Sequence, residues 1–186
     1  RWPVRVGAGD YETFDIVLPP DKGDLLDPEL VRAEAEKLAA IWGGPQGQPA
    51  WRGRFRQPIG QEFPTSAPFG QRRSYNGGPV NGFHGGQDFA APEGTPVLAP
   101  AAGQVVLAEP LVVRGNAVVI DHGAGLFSGY WHLSSIAVSQ GQAVQPGDLI
   151  GLVGTTGLST GNHLHWEMRL HGIAVSPMQW LTRILP

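Results

Sequence analysis

A chain of 186 residues with a net charge of −3 and no cysteine has room for one domain with an appendage, or for two small ones. The faintly acidic balance, with no basic run, no aromatic-basic stripe and no phosphate-cradling glycine motif, argues against a nucleic-acid partner, and no segment approaches the length of a membrane span. Zero cysteine excludes a disulfide framework, while 27 Gly and 17 Pro favour many turns joining short strands, with a hydrophobic fraction of 41% that is enough for a packed core.

The chain opens at Arg1 without methionine or signal sequence, which predicts a processed or trimmed product from which an export signal could have been lost. Residues 1 to about 20 read as extended, with a strand-like run at Phe14-Asp15-Ile16-Val17-Leu18 ended by Pro19-Pro20. One good helix comes next. Asp27 suits the N-cap, Pro28 the first helical position and Glu29 the positive helix end. Val31, Ala35 and Leu38 give it an apolar stripe, and Gly43-Gly44-Pro45 stops it. Residues 45 to 60, rich in Gln, Gly, Pro and Arg, read as a linker or lightly structured arm that Trp51 and Phe55 could pin to the domain after it.

From about residue 61 short β-prone runs alternate with turns: Gly103–Leu107, Ala117–Ile120, Gly129–Leu133 and Leu149–Val153, with a small hairpin or corner over Gly141–Asp148. This texture predicts a mainly β protein built on antiparallel sheet, preceded by a short α+β N-terminal arm over residues 1–60.

Within it lie three histidine-bearing segments. His84 and Asp88 stand at i and i+4, and Gly85-Gly86 between them disfavours a helix but lets the backbone approach an ion closely. Taken alone, the pair equally fits a turn histidine beside an exposed aspartate. His163 and His165 stand at i and i+2, so on a strand both point to one face, roughly 6.5–7 Å apart, while Leu164 and Trp166 point to the other. One of them can bind a metal and its neighbour can stand beside the reacting water. His132 sits in the third segment, Tyr130-Trp131-His132-Leu133. Four of the six histidines fall in these segments. His122 and His171 are expected in turns. Without cysteine, any zinc must take imidazole and carboxylate ligands, and a catalytic zinc keeps one of its four positions open.

In this order the segments resemble the lysostaphin-like (LytM-type) zinc metalloendopeptidases of peptidoglycan. The His-x-x-x-Asp motif is His84 to Asp88, the Tyr-x-His-Leu segment is Tyr130 to Leu133, and the Ser-Thr-Gly-x-His-Leu-His stretch is Ser159 to His165. Pro68–Arg72, Asp88–Val97 and Gly154–Gly157 match as well, so the likeness covers roughly residues 61 to 182. The resemblance implies an antiparallel β metallopeptidase domain over 61–186 with a groove whose floor carries one Zn2+ per chain. It implies His84, Asp88 and His165 as metal ligands, and His132 and His163 as catalytic residues flanking the water and the scissile carbonyl. The implied reaction is hydrolysis of peptide bonds in bacterial peptidoglycan stem peptides or cross-links by a metal-activated water, with proton transfer assisted by histidine. A catalytically silent relative that binds cell wall or regulates a hydrolase is the alternative. An extracytoplasmic, monomeric protein is expected, with peptidoglycan peptide as its partner.

Two features depart from the family pattern. Gln87 stands where an apolar residue is usual, which is expected to alter the near wall of the groove, and Tyr75 lies too far from His84 to be given an oxyanion role. No His-Glu-x-x-His helix supplies a carboxylate base, so His163 is the substitute, since an imidazole titrates near 6.5. The roles of His132 and His163 could be exchanged. Glu167 shares the strand face of His163 and His165 and could orient a ring N–H, or simply face solvent. Arg73 is expected at the surface or in a structural role, Arg72 stays open, and Asn81 and Asn162 could line the groove. Trp131 and Trp166 are expected in the core. Residues 1–60 read either as the remainder of a small domain or as a segment that shields the groove, with no obvious blocking ligand.

Overall fold

The computed structural model describes residues 9–44 and 47–182; the extended reading of residues 1–8 and the Pro45 stop lie outside them. Strand β1 (Thr13–Ile16) is followed by a 3-10 turn over Pro20–Leu26 and by helix α1 (Pro28–Trp42). The start of α1 follows from its sequence: Asp27 Oδ1 accepts from Glu29 N at 2.8 Å and Leu30 N at 3.1 Å, satisfying two of the free N-terminal amides. Gly43 ends the helix.

The rest is strand and turn. In chain order come β2 (Thr65–Ala67), β3 (Arg72–Tyr75), β4 (Gly82–Phe83), β5 (Gly86–Ala90), β6 (Pro96–Leu98), β7 (Gly103–Leu111) and β8 (Gly115–Gly123). After them come β9 (Leu126–Leu133), β10 (Ser135–Ile136), β11 (Ala143–Val144), β12 (Leu149–Leu152), β13 (His163–Leu170), β14 (Ile173–Val175) and helix α2 (Met178–Thr182). The main sheet runs β11-β7-β8-β9-β13-β5-β2, with β14 on β13, and its described pairs are all antiparallel. Two three-stranded sheets flank it: β10-β12-β6, and β1-β3-β4, in which β1 runs parallel to β3.

Both faces of the sheet are covered. On one, Val105, Val118, Ile120, Tyr130, Leu164, Trp166 and Met168 join a core that Phe55, Ile59 and Trp180 close. On the other, Leu38 and Trp42 of α1 pack on Leu107, Ala117, Val119, Phe127 and Trp131. Burying a side chain of this size contributes about 1.5–3 kcal/mol, so α1 is part of the sheet's packing. Trp51 and Phe55 do pin their segment: Trp51 packs edge-on against Phe55 and Trp180, and Phe55 lies tilted against Trp180. Among the described residues no helix is long and apolar enough to cross a membrane.

Two expectations need correcting. The buried stripe of α1 is Glu34, Leu38 and Trp42, with Val31 and Ala35 exposed. The helix is rotated because the Glu34 carboxylate accepts from Val113 N (2.8 Å), Arg114 N (3.1 Å) and Arg114 Nη1 (2.8 Å) where β7 turns into β8. His122 is not a turn residue. It lies in β8, fully buried, donating from Nδ1 to Ala102 O (2.8 Å) and accepting at Nε2 from Ser128 Oγ (2.7 Å), onto which Tyr130 OH donates. His171 does occupy a turn, at φ 50°.

Candidate metal centre

The antiparallel pairing of β5 with β13 sets Asp88 directly opposite His165. In this register the strand alternation sends Leu164 and Trp166 into the core and leaves His163 and His165 on the groove side. Gly86 makes the close approach possible: a Cβ there would lie 2.5 Å from both Trp166 O and His165 Nε2. His84, just before β5, is oriented by donating from Nδ1 to Pro68 O at 2.9 Å, which leaves the lone pair of the neutral ring on Nε2.

That lone pair lies 3.0 Å from Asp88 Oδ1 and 3.0 Å from His165 Nδ1, and Asp88 Oδ1 is 2.8 Å from the same His165 nitrogen. The three groups form a buried cluster able to hold a metal ion. Donors on a tetrahedral zinc with bonds of about 2.0–2.1 Å would be separated by about 3.3 Å, so the triangle fits one such ion closely. Electrostatics point the same way. Burial holds His165 below the ordinary imidazole range. Burial alone would raise the Asp88 carboxyl, but the charge and hydrogen bonds of His165 and His84 outweigh it and keep Asp88 well below the usual range. Two imidazole nitrogens and an anionic oxygen thus converge on one point, an arrangement suited to a cation.

His132 and His163 stand beside this cluster, their rings tilted toward each other with centroids 5.0 Å apart. His132 donates from Nδ1 to Thr156 O and His163 from Nδ1 to Gly161 O, both at 2.8 Å, so each neutral ring keeps a free Nε2 lone pair. His163 Nε2 is 3.9 Å from Asp88 Oδ1. Burial, then the neighbouring His163 and His165, push His132 down to about 3. The backbone at His132 is left-handed, at φ 63°. Two residues of β9, Trp131 and His132, there face the single Ala117 of β8, a bulge that redirects the side chain. All five expected site residues thus meet, four of them (Asp88, His132, His163 and His165) lining one groove of about 510 Å³.

Several neighbours differ from expectation. Arg73 is a site residue: its Nη2 donates to Asp88 Oδ2 at 3.1 Å, leaving Oδ1 to face the histidines, and its side chain lines the groove. Bringing a four-residue strand alongside the groove is a tertiary event with no local signal. Gln87 does not reach the groove wall. It points away from Asp88 and donates to Thr65 Oγ1 at 2.9 Å, tying β2 to β5. Glu167 is buried rather than solvent-facing, accepting from Trp131 Nε1 at 3.0 Å and from Arg169, with its Oε2 3.9 Å from His165 Nε2. Burial would raise Glu167, but Arg169, His165, Arg114 and the Trp131 bond lower it. Trp131 and Trp166 are buried as expected, Asn162 lines the groove, and Asn81 is not among its lining residues. Phe14–Leu18 also line it.

The sequence profile of Peptidase family M23 matches residues 82–177. The peptidoglycan DD-endopeptidase ShyA of Vibrio cholerae is 41% identical over 124 residues, covering 67% of this chain and 29% of its own length. Among solved structures, a zinc containing peptidase from Vibrio cholerae superposes with a TM-score of 0.64 at 33% identity, over 73% of this chain and 41% of its own. The catalytic domain of lysostaphin from Staphylococcus simulans does so with a TM-score of 0.57 at 32% identity, over 65% of this chain and 93% of its own. The chain spans between 22% and 34% of the length of the curated relatives it matches.

Proposed function

Because the chain belongs to peptidase family M23, we propose that it is a zinc endopeptidase hydrolysing peptide bonds of bacterial peptidoglycan stem peptides or cross-links, in an extracytoplasmic setting. The observation that carries this reading is the convergence of His84 Nε2, Asp88 Oδ1 and His165 Nδ1 within about one tetrahedral edge of each other. These three residues would hold one zinc ion, and the catalytic unit would comprise residues 61–186. ShyA is named for an activity on peptidoglycan, and one structural neighbour is described as containing zinc; both support the assignment.

Bound there, zinc supplies Lewis acidity, making a water easier to deprotonate and a carbonyl more electrophilic. The protein's own groups do the rest. His163 is the more exposed of the two flanking rings and its Nε2 lone pair is free, so it accepts the proton of the attacking water. Burial keeps His132 neutral. The proton that His163 takes from the water would pass on to the leaving amine, and His132, whose Nδ1 is committed to Thr156 O, can take part in that relay or face the oxyanion only through Nε2. Asp88, fixed by Arg73, keeps a negative charge against the ion.

Metal analysis and digestion of purified peptidoglycan test this directly. His165→Ala should lose metal and turnover together, while His163→Ala should retain most of the zinc and lose turnover by a factor of ~100 or more. A parent protein that binds no stoichiometric zinc and releases no fragments after zinc is added would instead be a silent relative.

A further inference from the structure

The N-terminal segment lines the groove and then crosses to the loop before His163. Strand β1 forms one wall, paired with β3 over Thr13–Ile16. It is held by more than the ladder. Asp15 Oδ1 accepts from Ser74 Oγ at 2.8 Å and from Gly77 N at 3.0 Å, Asn76 N donates to Ile16 O at 3.0 Å, and Leu18 N donates to Asn76 Oδ1 at 2.9 Å. A few residues later Lys22 reaches the opposite wall. Its Nζ donates to Ser159 O at 2.7 Å and to Thr155 O at 3.1 Å, in the loop that leads into His163. Residues 17–22 therefore bridge the two walls.

Where the segment crosses, the lining residues Leu18 and Ser159 are buried, whereas Ser66, Thr160 and Asn162, also lining residues, are exposed. We propose that the bridge is a fixed end wall of the substrate groove, and that Leu18 and Lys22 limit how many residues a peptide can place on one side of the scissile bond. The inference rests on the endopeptidase reading and narrows its substrate class to peptides with a short end on that side. Each added residue of an extended peptide needs about 3.3 Å of groove, which the bridge denies. A movable lid would be drawn from a weakly bonded segment, whereas this one is fastened at both ends.

The test is a length series of synthetic stem peptides, extended one residue at a time at either terminus, cleaved by the zinc-loaded full chain. Extension at one terminus should leave kcat/KM within about twofold, and extension at the other should lower it at least tenfold. In Lys22→Met the ratio of kcat/KM for long over short peptides at the restricted terminus should rise at least fivefold. Equal tolerance at both termini in the native protein overturns the end wall without recourse to any variant. An equal rise for all lengths in Lys22→Met overturns it too, in favour of a lid. Failure to cleave even the shortest peptide refutes the endopeptidase reading and this inference with it.

Discussion

The three-donor cluster and the two imidazoles beside it are held in different ways. His165 and Asp88 face each other across a regular antiparallel ladder, at the floor of the groove. The rings of His132 and His163 are oriented by backbone carbonyls, Thr156 O and Gly161 O, of the loop between β12 and β13, although the His163 backbone belongs to the same ladder. The ladder gives a rigid donor set whose geometry is set by strand register. The loop sets how the two rings are turned, so their orientation can change without disturbing the donors. Substitutions should therefore separate metal retention from turnover.

The largest effect is expected from Gly86→Ala. The added methyl would meet Trp166 O and His165 Nε2 at 2.5 Å, so β5 and β13 must part and Asp88 leaves His165. Metal retention and turnover should fall together, each by more than ~100-fold, the signature of damage to the ladder half. Equilibrium competition with a zinc chelator beside a peptide-cleavage assay measures both; a variant that kept its zinc would break the distinction. Arg73→Met should be next. It frees the Asp88 carboxylate to rotate, and loss of such an outer partner typically costs about 10–100-fold in metal affinity. Arg73→Lys should recover part of that loss, which a merely structural role would not require.

Glu34→Gln probes the other half from a distance. Glu34 accepts from both amides at Val113 and Arg114, and Arg114 O in turn accepts from His132 N at 2.9 Å, holding the left-handed bulge. An amide in its place would turn an NH2 group toward one of those N–H donors. Turnover should drop roughly 3–10-fold, since a small misplacement of a catalytic group is enough for that, with zinc affinity unchanged. Equal loss of both would mean that the two halves are mechanically one.

The ladder half was the more legible in the sequence, for a physical reason. Strand alternation at His163-Leu164-His165-Trp166 and the glycines between His84 and Asp88 are local signals, as are the Asp27-Pro28 start and the Gly43 stop of α1. What escaped was set by tertiary pairing. Arg73 reaches Asp88 only because β3 comes to lie along the groove. Glu34 is buried only because two amides await it. Nothing near His132 in the sequence announces a positive φ. Strands of two residues, such as β4, β10 and β11, carry no periodicity to read.

His122 is the internal control for both halves, and the smallest expected effect on turnover belongs to it. It is buried at least as deeply as any site histidine, but its partners are Ala102 O and the hydroxyl of Ser128, and among the described residues no carboxylate bonds to it. Burial pushes it down to about 4. In the unfolded chain the same ring titrates near 6.5. Between those values the unfolded state binds the extra proton, so stability rises with pH across the window and is lost as pH falls from 6.5 toward 4. From pH 7 to pH 5 the loss attributable to this ring is about 2 kcal/mol. Urea unfolding of the native protein and of His122→Gln, both zinc-loaded at each pH, isolates it: the variant starts lower but should lose about 2 kcal/mol less over the interval. The site histidines contribute differently, because a bound cation opposes their protonation. If removing zinc leaves the His122-dependent difference unchanged while steepening the remaining pH dependence, the site imidazoles differ from this one in that they face the ion.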